Sequence, residues 1–180
     1  MRDKNERKQI PVVIIAGWSG SGKTTLVERL VPLLKKKKLR IGTVKHHHGS
    51  LEFDQPGKDS WRHVKAGADK TIVSSPGGIG MVMTLDREPL LDELVPLMSD
   101  MDLVIVEGYK MEKRPKIEIF RSEVHDEGPR FLEDPDLIAV ASDRELDLPV
   151  PVFDLDNPGK LADFICEYFS LQPAGLRSKD

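Results

Sequence analysis

The sequence predicts an α/β fold, a mainly parallel sheet with helices on both faces, and three observations predict it. Apolar runs of strand length alternate along the chain with segments of helical period. Two of those runs, "VVIIA" (12–16) and "LVIV" (103–106), are unbroken by polar residues, as in strands covered on both faces. The first leads through a glycine-rich turn straight into a helical pattern, the strand–turn–helix order of a parallel α/β unit.

The elements follow in order. Gly17 ends the first strand. From Lys23 the residues Leu26, Val27, Leu30, Leu33 and Leu34 recur at helical spacing, and Lys35 to Lys38 suit the negative end of the helix dipole. Pro32 is expected to kink this helix. "IGTV" (41–44) reads as a strand, "SWRHVKAGA" (60–68) as a helix, "KTIVSS" (70–75) and "GMVMTL" (80–85) as strands, and "PLLDELVPLM" (89–98) as a helix. After the buried strand at 103–106, "KIEIF" (116–120), "LIAVA" (137–141) and "VPVFDL" (150–155) are further strands. The last helix, "NPGKLADFICEYF" (157–169), opens with Asn157 as N-cap and Pro158 at the first helical position.

At 180 residues the chain suits one domain with a core of its own: a charged tail over 1–10, a single domain over 11–170 and a flexible tail over 171–180. A net charge of -3 and a pI near 6.0 give no electrostatic footprint for nucleic acid or an anionic membrane. No apolar run reaches eighteen residues and the first ten residues have no apolar centre, so the expected setting is cytoplasmic, with no membrane. The single Cys166 has no disulfide partner within the chain and falls on the apolar face of the last helix beside Leu161, Phe164 and Ile165.

Gly17-Trp18-Ser19-Gly20-Ser21-Gly22-Lys23-Thr24 fits G-x-x-x-x-G-K-[ST] at every fixed position, and it lies between a buried strand and a helix, where the mechanism needs it. Glycines let backbone N–H groups converge on phosphate oxygens, and the helix N-terminus adds positive potential. Lys23 then reaches the β- and γ-phosphates and the Thr24 hydroxyl ligates Mg²⁺, with Thr25 following in the first turn. The expected fold type is therefore P-loop NTPase-like. Glu107, at the carboxyl end of a central strand, is the expected second magnesium-shell carboxylate, the alternative being an ordinary strand-end Glu; Gly108 after it allows close backbone approach.

Residues 45–69, "KHHHGSLEFDQPGKDSWRHVKAGAD", follow the second strand and are polar. Asp54 or Asp59 is expected at the metal or its water shell, with Asp54 preferred, while Lys45, His46, Lys58 and Arg62 are candidates for phosphates of a nucleotide or of a second ligand. The adjacent histidines 46–48 suggest zinc, but extended backbone points them in alternating directions and no second cluster completes the set, so a solvated loop is the stronger reading.

"GWSGSGKTTL", "KHHHGSLEFDQPGKDSWRHVKAGA", "DLVIVEGYK", "RPKIEIFR" and "IAVASD" occur in the order found in the MobB family of molybdopterin-guanine dinucleotide biosynthesis, which the chain resembles over most of its length. The resemblance implies a GTP-binding P-loop protein with weak GTPase activity. It also implies a homodimer that assists a MobA-like nucleotidyltransferase in attaching GMP to molybdopterin. Trp18 stands where related dimeric P-loop ATPases carry a second lysine, which fits slow hydrolysis, and His48-Gly49-Ser50 departs from the family's histidine run. "LIAVASD" places Asp143 as the aspartate of a degenerate N-K-x-D element that would read guanine, with Val140 and Ala141 for Asn and Lys; the alternative is a strand-end aspartate capping a turn. A different class of activity, a small-molecule kinase with its acceptor held by residues 45–69, uses the same cradle, although no arginine-rich lid insertion accompanies it.

Overall fold

The structure, a computed structural model, describes residues 9–47, 49, 55–125 and 127–172. The expectations for Asp54 and His48, and for the tails at 1–8 and 173–180, lie outside those residues. Where the sequence predicts one domain over 11–170, the chain forms two compact units. One runs up to His46 and resumes at Leu94; the other is His47–Glu93.

The first unit contains β1 (Val12–Gly17), α1 (Lys23–Lys36), β2 (Ile41–Lys45), β5 (Leu103–Glu107), β6 (Lys116–Phe120), β7 (Leu137–Ser142), β8 (Val152–Asp154) and α4 (Gly159–Tyr168). Its strands form a six-stranded sheet in the order β2-β5-β1-β6-β7-β8, with every pairing parallel. β1 is central, flanked by β5 and β6, so the turn after Gly17 emerges at the carboxyl edge between two neighbours. In open α/β sheets that edge carries the ligand. The period-2 alternation sends Val13, Ile15, Ile105, Ile117 and Ile119 to one face, where Leu26, Leu30 and Leu34 of α1 and Leu161 and Ile165 of α4 close a dry core. On the other face Phe120, Leu137 and Val140 are covered by Phe131 and by Leu146–Val152.

Local details differ from the sequence reading for physical reasons. α1 continues as helix through Pro32, whose ring removes the N–H due to bond Glu28. Segment 89–98 is not one helix but a short α3 (Leu91–Leu94) followed by a 3₁₀ turn (Val95–Met98), because Pro96 supplies no N–H and disfavours helical backbone before it. α4 starts one residue later than expected, with Pro158 as N-cap and Gly159 as its first residue. Leu171 packs partly buried against the core, so order extends past residue 170. Cys166 packs there too, and burial pushes its thiol up from the ordinary range. Among the described residues no helix is long and apolar enough to cross a membrane.

β6 carries the largest surprise. "KIEIF" alternates as a half-exposed strand would, yet Lys116 and Glu118 are both buried. Lys116 Nζ lies 2.6 Å from Asp134, and Glu118 accepts the backbone N–H groups of Arg130 and Phe131 at 2.8 and 2.9 Å. Burial pushes the Glu118 carboxyl up and the two N–H donors oppose that shift.

The second unit holds α2 (Asp59–Lys65) and an antiparallel hairpin of β3 (Lys70–Ser75) and β4 (Gly78–Met83). These strands form a separate two-stranded sheet.

Candidate functional site

The turn between β1 and α1 is shaped by glycine. Gly17 has φ +138°, and a Cβ there would stand 2.7 Å from the Ile119 carbonyl oxygen of β6, so no other residue fits. Gly22 has φ +92° and immediately precedes α1, whose first helical bond runs from Leu26 N–H to the Gly22 carbonyl at 2.9 Å. Ser19 and Gly20 are exposed at the crest and Thr25 on the first turn, whereas Ser21 is buried and its hydroxyl has no partner among the described residues.

Lys23 folds back along the turn, its ammonium donating to the carbonyls of Gly17 and Trp18 at 3.1 and 2.6 Å. Burial pushes its pKa down; nearby Lys110 and Lys45 add to this and Glu107 opposes it. A cation held this way, beside other cations, is one that an anionic ligand would stabilise.

Register brings the remaining groups together. Lys45, at the end of β2, is the direct partner of Glu107 on β5, which in turn pairs with Ile15 of β1. The Thr24 hydroxyl donates to the Glu107 carboxylate, 2.9 Å from each oxygen, and accepts from Lys45 Nζ at 3.2 Å. Lys45 also lies 3.4 Å from Glu107. A hydroxyl and a carboxylate in contact are the hard oxygen donors that Mg²⁺ takes when phosphates and water complete its shell. Among the described residues no cluster of three His, Cys, Asp or Glu could hold a metal without such help. Gly108 does permit close approach: a Cβ there would meet that of His46 at 2.6 Å. His46 and Tyr109 stack with ring centroids 4.5 Å apart.

A model of the family described as "MobB: Molybdopterin guanine dinucleotide synthesis protein B" matches residues 12–143. The chain belongs to the MobB family. It is 41% identical to the molybdopterin-guanine dinucleotide biosynthesis adapter protein of Escherichia coli, over 92% of this chain and 97% of that one. It is 36% identical to the adapter protein of the same description from Haemophilus influenzae, over 87% and 88%. The crystal structure of Bacillus subtilis MobB superposes with a TM-score of 0.71 at 28% identity, covering 88% of this chain and 97% of that one. The six-stranded sheet with its glycine-rich turn is thus the P-loop NTPase-like fold that this family shares.

Of the residues singled out from sequence, Gly17, Lys23, Thr24, Lys45 and Glu107 converge on one spot. Asp143 lies at the carboxyl end of β7, exposed, and accepts from the backbone N–H of Ser122 at 3.2 and 3.1 Å and from its hydroxyl at 3.2 Å. Beside it opens a cavity of about 780 Å³ lined by Arg144, Phe153, Asn157 and Lys160 among others. Asp59, Lys58 and Arg62 belong to the second unit, where exposed Asp59 and Arg62 lie 3.5 Å apart.

The segment after β6 was not singled out from sequence, yet it packs on the turn. Trp18 stacks on His125 with centroids 4.1 Å apart, and the Arg130 guanidinium lies 4.9 Å from the Trp18 ring. Arg121 Nε donates to the Ser21 carbonyl at 3.1 Å. The one signal available was a strand-end arginine in "KIEIFR", whose meaning depends on β6 lying next to β1.

Proposed function

We propose that this chain is a GTP- and Mg²⁺-binding adapter of molybdopterin guanine dinucleotide biosynthesis, with slow GTP hydrolysis, acting as a homodimer beside a MobA-like nucleotidyltransferase. The observation that carries the nucleotide part is the contact of Thr24, Glu107 and Lys45 at the mouth of a turn already lined by Lys23. In this reading the turn's N–H groups and Lys23 hold the β- and γ-phosphates, and Thr24 and Glu107 hold the magnesium shell. Bound Mg²⁺ would supply neutralisation of phosphate charge. Lys45 adds a cation at the same edge.

The adapter role is supported by the family and by relatives of that description. A second copy as partner is supported by the hairpin, where Ile72, Val73, Ile79 and Met81 are all exposed.

Lys23→Ala is the direct test. Binding of GTP with Mg²⁺, measured by calorimetry, should weaken about a hundredfold, two charge-assisted hydrogen bonds at roughly 1.5 kcal/mol each, with an unchanged circular dichroism spectrum. Wild-type affinity in the folded variant overturns the cradle.

Guanine selection by Asp143 is tested separately with Asp143→Asn. An amide donor opposite position 2 of the base disfavours the 2-amino group and favours an oxygen, so the variant should lose GTP and gain xanthosine triphosphate. Unchanged GTP binding leaves Asp143 as a cap for Ser122.

A further inference from the structure

The phosphate loop works only if its N–H groups face the anion. Across a trans peptide the C=O and the N–H point in opposite directions, so rotating one peptide plane replaces a donor by an oxygen that repels phosphate. The Ser21–Gly22 plane turns about the Ser21 ψ and Gly22 φ torsions, and on its Gly22 side, at φ +92°, glycine lowers the barrier to such a rotation. Among the described residues the bond to the Ser21 carbonyl comes from outside the turn, from Arg121 Nε at 3.1 Å, one hundred residues along the chain. The guanidinium also lies against Gly22, with Nε and Nη2 at 3.5 and 3.6 Å from where a Gly22 Cβ would be.

Arg121 is itself held. It follows β6 directly, and Ile119 of β6 is the register partner of Gly17, so the strand that carries the arginine is bonded to the strand that carries the loop. The segment it opens is tied at its far end by Glu118, which accepts the N–H groups of Arg130 and Phe131. It is tied to the loop again by His125 and Arg130 against Trp18.

We propose that Arg121 is a positioning residue for the phosphate loop: by fixing the Ser21 carbonyl outward it keeps the Gly22 N–H turned inward as a phosphate donor. This rests on the nucleotide-binding reading and names a residue that the motif does not contain.

Two substitutions separate positioning from direct charge. Arg121→Met removes every donor, whereas Arg121→Gln keeps an amide N–H at the same distance along the side chain as Arg Nε and removes the charge. GTP affinity with Mg²⁺ should fall about tenfold in Arg121→Met, the loss of one donor that orders the loop, and return to within about threefold of wild type in Arg121→Gln. The Gly22 amide resonance should move downfield on adding GTP in wild type and Arg121→Gln and stay in place in Arg121→Met, a signature that a loss of general stability would not produce. Wild-type affinity in Arg121→Met overturns the inference. So does equal weakening in both variants, which would make the arginine a direct phosphate contact. With Lys23→Ala measured alongside, the two levels are distinguishable. If it alone loses GTP, the cradle stands and this inference falls; if it binds normally, both fall.

Discussion

β1 and the β3–β4 hairpin are built from similar residues and meet opposite fates. "VVIIA" and "KTIVSS" both read as strands and both are strands, yet Val13, Ile14 and Ile15 of β1 are 0% exposed while Ile72 is 59% and Ile79 77% exposed. The difference teaches that strand formation follows local pattern, whereas burial follows from what the sheet is laid against. β1 has a bonded neighbour on each side and helices α1 and α4 over one face. A two-stranded ribbon has two open edges and is marginal alone in water. Each exposed isoleucine of the hairpin forgoes about 1.5–3 kcal/mol that burial would contribute.

The same contrast holds for charge. In the six-stranded sheet Lys116 is 2% exposed and depends on Asp134. In the second unit Arg87 and Glu93 pair in solvent. Asp134→Ala should therefore have the largest effect, about 3–5 kcal/mol in chemical unfolding, because it strands a buried ammonium. A loss below about 1 kcal/mol would mean that Lys116 swings out to water and that buried charge is not what distinguishes this sheet.

Next in size, Ile105→Ala in β5 should cost about 2–5 kcal/mol, whereas Ile79→Ala in β4 should stay near 0.5 kcal/mol in the isolated monomer. Measuring Ile79→Ala across protein concentrations sharpens the comparison. If its cost rises as concentration rises, the hairpin face is buried against a second copy of the chain.

The smallest effect is expected at Glu93. Its carboxyl is pulled from 4.5 to about 2, chiefly by the Arg87 hydrogen bond and then by the Leu90 N–H. Because the folded value is depressed, its contribution is present above pH 4.5 and is lost as pH falls from there towards 2. A carboxyl resonance titrating near 4.5 instead would show the pair to be unformed in solution. The group is exposed, so Glu93→Gln should leave the unfolding midpoint at neutral pH almost unchanged.

Much of the candidate site was legible in the sequence because a phosphate loop is local. Three glycines, a lysine and a threonine within eight residues dictate the turn, and an unbroken apolar run before them dictates a strand buried on both faces. Glu107 was legible for the same reason, as a carboxylate ending a second such run. Tertiary structure alone decided the strand order, with β5 between β2 and β1 and β6 on the other side of β1. That choice puts Lys45 opposite Glu107 and brings Arg121 to the Ser21 carbonyl. It also decided that the alternating "KIEIF" is buried throughout and that two good strands stand apart as a hairpin. The physical reason is range: backbone torsions and hydrophobic period are set within a few residues, but a charge becomes tolerable in a core, or an arginine useful to a loop, only through partners that pairing brings from elsewhere in the chain.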